Sequence, residues 1–255
     1  MKVISYNVNG VRAAITKGFY DWLEQERPDV ICLQEVKALR EDVDLARLHA
    51  MGYHDYWHSA QKKGYSGVAT FSLQPAAAVE IGCGNALYDN EGRILRTDFG
   101  HFSVLNCYFP SGTTGDERQQ FKMQFLDDFY RWAQKVKQAH PNLIVLGDYN
   151  IAHQEVDIHD PKGNKNSSGF LPEERAWMTK WIEEGGFTDA FRTLHPDEKS
   201  YSWWTFRANA RANNKGWRID YQCLAGDLPQ RLVAAQQLND VCHSDHCPVR
   251  IELSF

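Results

Sequence analysis

LIVLGDYN, residues 143–150, is the stretch whose reading decides the fold. Four consecutive aliphatic residues show no alternation, so a strand built from them is covered on both faces. It ends abruptly in Gly147, Asp148 and Asn150. The same plan recurs in VISYNVNG (3–10), DVICLQE (29–35), SGVATFS (66–72), SVLNCYFPSG (103–112), IDYQCL (219–224) and CPVRIEL (247–253), which read as strands of a buried sheet. Helical spacing occupies the gaps, over 17–26, 118–139 and 172–184. It is clearest in the second, where Phe121, Phe125, Leu126, Phe129 and Trp132 recur at three- and four-residue steps and Pro141 follows the end. Aromatic stripes of this kind are core. Strands alternating with helices place the chain in the α/β class, and with no linker, low-complexity tract or repeat, residues 1–255 are expected to form one domain.

Composition narrows the class. The 255 residues carry a net charge of −5 with 43% apolar and 13% aromatic residues, which excludes disordered, collagen-like and coiled-coil chains. At this length roughly 70–75% of the unfolded chain's surface can be buried, so a core forms without staples. The six cysteines lack a CxxC pair and read as reduced thiols. Six consecutive residues, Cys242 to Cys247, cannot converge on one tetrahedral zinc ion. No apolar stretch reaches the roughly 20 residues of a membrane helix, and MKVISYNVNG turns polar too early for a signal peptide, so the expectation is a cytoplasmic protein.

The acidic balance argues against an unspecific nucleic-acid binder. One segment departs from it: Arg207, Arg211, Lys215 and Arg218 occur without an acid, beside Asn209, Asn213, Asn214 and Trp217. That mixture suits phosphate and sugar contacts with stacking, the alternative being a solvated loop.

Polar residues gather at the ends of the apolar runs: Asn7, Asn9, Gln34, Glu35, Tyr108, Asp148, Asn150, Asp220, Asp245 and His246. Singly each has a local explanation, such as Glu35 capping a turn, Asp148 starting an Asx turn, or Asp220 pairing with Arg218. Together they suggest more. Glu35, Asp245 and an early Asn are hard oxygen ligands of the sort magnesium takes. Asp220 is suited to orienting the imidazole of His246, and Asp148 with Asn150 to positioning a water and donating to a phosphate oxygen. The set fits metal-assisted attack on a phosphodiester; no P-loop or GxSxG elbow is present.

NVNGVRA, ICLQEVK, GYSGVATFS, GDYNIAH, DPKGNK, GWRIDY and SDHCPV, in this order from Asn7 to Val249, resemble the exonuclease III class of apurinic/apyrimidinic endonucleases, within the endonuclease/exonuclease/phosphatase superfamily. The resemblance implies a four-layer α/β sandwich, two mixed β-sheets packed face to face between helices. It implies magnesium, with manganese as a substitute, held by Glu35 and Asp245 with Asn7 or Asn9, and a second acidic corner of Asp148 and Asn150. It further implies that Asp148 orients or activates water, Asn150 stabilises the pentavalent phosphate, and Tyr108 bonds a phosphate oxygen. His246, oriented by Asp220, would contact the phosphate or act as base. Trp203, Trp217 and Ile219 would form the pocket for a base-less sugar, with Asn164 near the phosphate and Arg207 inserted into the helix; Trp204 reads equally well as core. The implied activity is hydrolysis 5′ to an abasic site leaving a 3′-hydroxyl, with 3′-phosphodiesterase and 3′-to-5′ exonuclease activity, by a monomer acting on duplex DNA with abasic sites or blocked 3′ ends.

Two departures stand out. Ser111 replaces a longer amide and Ser167 an Asn that relatives carry, each removing a potential phosphate contact. FPSGTTGDERQQFKMQFLDDF and GFLPEERAW also look like the catabolite-repression control regulators, which bind partners without cleaving DNA; those regulators lack active-site acids and His that this chain retains. A lipid phosphodiesterase of the same superfamily is the third alternative, against which the Arg207–Arg218 segment and its tryptophans speak.

Overall fold

The computed structural model describes residues 1–255. Twelve strands form two mixed six-stranded sheets. They are β1 (Lys2–Asn7), β2 (Val30–Gln34), β3 (His54–His58), β4 (Val68–Ser72), β5 (Ala78–Ile81), β6 (Ile94–Asp98), β7 (Ser103–Tyr108), β8 (Leu143–Asp148), β9 (Thr188–Asp189), β10 (Asp220–Leu224), β11 (Leu232–Gln237) and β12 (Val249–Leu253). The first sheet runs β11-β12-β1-β2-β4-β3 and the second β5-β6-β7-β8-β10-β9. Each holds one parallel pair, β1 with β2 and β7 with β8, among antiparallel neighbours.

The seven expected strands all form; β1 starts one residue early at Lys2, and all seven lose residues at one or both ends. The helices are α1 (Val11–Thr16), α2 (Phe19–Glu26), α3 (Ala46–Ala50), α4 (Ala86–Asp89), α5 (Asp116–Ala139), α6 (Pro172–Glu183) and α7 (Ala190–Leu194). Those predicted over 118–139 and 172–184 appear as α5 and α6; the one over 17–26 starts two residues later, because Gly18 is left-handed and breaks it from α1. The strands that sequence periodicity did not reveal are β3, β5, β6, β9 and β11, four of them sheet edges and β6 next to one, where half-exposed positions accept polar residues.

Side chains alternate between the faces of a strand. Val3, Val30, Cys32, Val104, Ile144, Leu146, Leu224, Ile251 and Leu253 meet in one cluster between the sheets. Ile4, Tyr6, Ile31 and Leu33 turn outward to α1 and α2. Leu143, Val145, Tyr221 and Cys223 turn outward to Phe125, Phe129, Trp177 and Trp181 of α5 and α6. The helical aromatics are therefore core, as their spacing predicts. All six cysteines are free thiols.

Candidate active site

This parity builds the site. Counting by twos, Val3 leads to Asn7, Val104 to Tyr108, Ile144 to Asp148 and Leu224 to Asp220, so these four polar residues share the inter-sheet face of their strands. Asp148 lies directly opposite Asp220 on β10 and beside Tyr108 on β7. Asn7 reaches across from the other sheet: its Nδ2 donates to Asp148 Oδ2 and to Glu35 Oε1, both at 2.9 Å. Glu35 follows β2 in a left-handed conformation, φ 50°, which turns its carboxylate back to the strand ends. Asn9, φ 45°, does the same after β1, and its Nδ2 donates to Asp245 Oδ1 at 2.9 Å.

Two buried carboxylates facing each other across a strand pair repel unless a positive group intervenes. His246 supplies it. Its Nδ1 lies 2.9 Å from Asp220 Oδ2, and its Nε2 faces Asp148 Oδ2 at 3.9 Å. Burial would lower the imidazole pKa, but the carboxylates of Asp220, Asp148 and Asp245 outweigh it and raise it to about 10. Burial, reinforced by the Asp220 charge and opposed by His246, pushes the Asp148 carboxyl up to about 7. Against the cost of burial, Lys37 and the Asn7 amide hold Glu35 below its ordinary value, with Lys37 Nζ 2.8 Å from Glu35 Oε2. Asp245 is likewise lowered despite burial, by His246, Asn9, Trp203 and Ser244. Burial and the neighbouring Glu35 charge raise Tyr108 well above an ordinary phenol.

Glu35, Tyr108, Asp148, Asp245 and His246 line one cleft of about 830 Å³ with Asn150, Trp203, Trp217 and Ile219, while Asn7, Asn9, Lys37 and Asp220 support them from behind its surface. Trp203 and Trp217 pack edge to face at 6.0 Å, and Trp203 Nε1 donates to Asp245 Oδ2 at 3.0 Å, so the aromatic wall is tied to the acidic one. The amide of Asn150, φ 53°, donates to Phe109 O at 3.0 Å and Asp148 Oδ2 at 3.2 Å.

The donor set suits a small, hard dication. Oxygens of Glu35 and Asp148 and a nitrogen of His246 lie within 4.8 Å of one another, and no Lys or Arg lines the cleft, so an entering phosphate meets mainly carboxylates. Asp245 lies outside that trio, joined to it through Asn9 and through His246 next to it in sequence. Asn7 and Asn9 present their amide NH₂ groups to the carboxylates.

Several sequence expectations need correction. Asn164 does not line the cleft: its Nδ2 donates to His159 O at 3.1 Å and Asp160 O at 2.9 Å, closing its own turn, while Asn166, Ser167 and Ser168 reach the cleft instead. The Arg207–Arg218 segment is not one basic surface. Arg218 is buried and paired with Asp157 (2.7 Å) and Asp189 (2.8 Å), and Arg211 donates to the carbonyls of Ser244, Asn239 and Val241 and packs on Trp204. Only Arg207 and Lys215 of its four cations are exposed. Trp204 is core, 2% exposed. Sequence reasoning missed Ser202, whose hydroxyl donates to Asp220 Oδ2 at 2.6 Å, and Lys37 beside Glu35; the latter stands in ICLQEVK, two residues on, and was the findable one.

Comparison with known proteins matches the chain and its fold to a family of phosphoester-cleaving enzymes. A family model described as the Endonuclease/Exonuclease/phosphatase family matches residues 4–246. An exodeoxyribonuclease of Bacillus subtilis (strain 168) is 43% identical over 257 residues, covering 100% of both chains. Among solved structures, an AP endonuclease from Archaeoglobus fulgidus superposes with a TM-score of 0.91 at 30% identity, and a 3′-5′ exonuclease (NExo) from Neisseria meningitidis with 0.94 at 26%, each covering 100% of both chains.

Proposed function

The chain belongs to the endonuclease/exonuclease/phosphatase family, and from that premise we propose that it is a DNA-repair hydrolase cutting the phosphodiester 5′ to an abasic site and leaving a 3′-hydroxyl. The same centre would serve blocked 3′ ends as phosphodiesterase and 3′-to-5′ exonuclease. The observation that carries the reading is Asp148, buried and held between Asn7, Asn150 and the Asp220-oriented His246, in a cleft whose other side is Trp203, Trp217 and Ile219.

Glu35 and Asp148, with Asp245, would hold magnesium, for which manganese substitutes, while Asn7 and Asn9, expected as ligands, turn their NH₂ groups to these carboxylates and would orient them instead. When bound there the ion neutralises phosphate charge and lowers the pKa of water. The remaining steps fall to side chains. Protonated His246 serves as a hydrogen-bond donor to the scissile phosphate, since a group raised to about 10 keeps its proton at neutral pH. That leaves Asp148 as the group to orient water and take its proton. Tyr108 keeps its hydroxyl proton and donates to a phosphate oxygen, and Asn150 fixes Asp148 while offering its NH₂ to the developing charge. A base-less sugar fits the aromatic pocket, whereas a nucleotide with its base is too large. Arg207, which is exposed, would enter the duplex. No helix is long and apolar enough to cross a membrane; the reading is of a cytoplasmic monomer.

A duplex with one tetrahydrofuran residue, incubated with the protein in magnesium and in EDTA, tests this. A single nick 5′ to the residue in magnesium alone is expected; no magnesium-dependent nick would overturn the proposal.

A further inference from the structure

Lys122 of α5 and Glu174 of α6 form an ion pair whose side chains are both 0% exposed, with Nζ bonded to Oε1 at 2.5 Å. Neither touches the cleft, and a buried pair is a poor way to gain stability when apolar residues would fill the space. What the pair does instead is hold backbone. The Lys122 ammonium donates to Asn150 O at 2.8 Å, fixing the left-handed turn that carries Asp148 and Asn150. Glu174 Oε2 accepts from Gly169 N at 2.6 Å and Leu171 N at 3.0 Å, fixing the loop beneath the aromatic pocket. Gly169 is packed so closely there that a Cβ would lie 3.0 Å from Trp217 Cζ3. Gln119 joins a third segment: its Nε2 donates to Glu174 Oε1 at 3.1 Å, its Oε1 accepts from Ser168 Oγ at 2.7 Å, and it abuts Gly112.

We infer that Lys122 and Glu174 are positioning residues that set the separation between the Asp148–Asn150 corner and the Trp217 wall of the cleft. The inference rests on the functional reading above. Because each charge fixes a different wall, the two sides separate kinetically. Lys122→Met frees the Asn150 turn and lowers kcat on the tetrahydrofuran duplex by ~10–100-fold, the scale of an ångström-level misplacement of catalytic groups. Glu174→Gln loosens the Gly169–Leu171 loop and raises KM more than it lowers kcat. Each single variant leaves a buried charge, so the decisive protein is Lys122→Met/Glu174→Gln, in which neither charge remains.

The expected result is a double variant whose thermal midpoint recovers towards wild type while kcat stays low, because Met offers Asn150 O no donor. Recovery of kcat together with the midpoint would show a merely structural pair and overturn the inference. So would folded single variants with wild-type kcat and KM. A wild type that does not nick the duplex overturns the functional reading and this inference with it, whereas an active wild type with unaffected variants overturns the inference alone.

Discussion

The two sides of the cleft are built by different means. The acidic corner stands on strand ends: Asn7, Tyr108, Asp148 and Asp220 belong to β1, β7, β8 and β10, whose backbones are locked by ladders from both sheets. The aromatic wall stands on loops, where Trp217 is held by bridges to Trp203 and Ile158 and by the closeness of Gly169. Groups that exchange protons or hold a cation need positions fixed to a fraction of an ångström, which strand ends supply. A wall that selects by shape needs only a supported surface. The loops take that support from buried charge, from Lys122–Glu174 on one flank and Arg218 with Asp157 and Asp189 on the other.

The largest effect that would sharpen this contrast is Asp148→Asn. It is expected to lower kcat by about 10²–10⁴-fold while duplex binding stays measurable, because loss of a proton acceptor strikes the transition state first. Equal turnover would remove Asp148 from that role. Next, Arg218→Met is expected to lower stability by about 3–5 kcal/mol in denaturant titrations, since it strands buried carboxylates. A small change there would mean that the loop wall does not depend on its ion pairs. Trp217→Ala should weaken binding of the tetrahydrofuran duplex by about 1–2 kcal/mol, the scale of apolar contact with two or so sugar carbons, and reduce discrimination against intact duplex, with less effect on kcat. A variant that lost kcat alone would erase the division between the two sides.

The acidic corner also predicts a pH dependence that the aromatic wall does not share. Between its ordinary value of 6.5 and about 10, native His246 retains a proton that the unfolded chain has lost, so its contribution is complete below 6.5 and drains as pH rises through 10. Asp148 has the same sign in a lower window: the native carboxyl keeps its proton from 3.8 to about 7, so rising pH destabilises the fold across that range. Thermal midpoints of metal-free protein should fall with pH over both windows, and His246→Gln should flatten the upper one; an unchanged upper slope would contradict the assignment. Smallest is Arg207→Ala, a change at an exposed side chain expected to move stability by no more than ~0.5 kcal/mol, in contrast to Arg218 eleven residues on.

How much could be read beforehand follows from the same contrast. Central strands such as LIVLGD are unbroken apolar runs, so their ends, and the acids on them, stand out in the sequence. Edge strands such as HDYWH and AVEI carry mixed polarity and leave no such mark. Arg207, Arg211, Lys215 and Arg218 look alike in a string of letters, yet two meet solvent and two are consumed by partners 28–61 positions away, Asn239 for Arg211 and Asp157 for Arg218 among them. Lys122 likewise looks like a solvated helix residue until Glu174, 52 positions on, is folded against it.

By itself the sequence determined the α/β class, the central strands, and which acids, amides and imidazole stand at their tips, because burial and alternation act over a few neighbouring residues. Only the tertiary structure decided that Asn7 bridges Glu35 to Asp148, that His246 lies between Asp220 and Asp148, and that Arg218 and Lys122 are turned inward. Coulomb attraction and hydrogen bonding depend on distance through space, and that distance exists only after two sheets have packed.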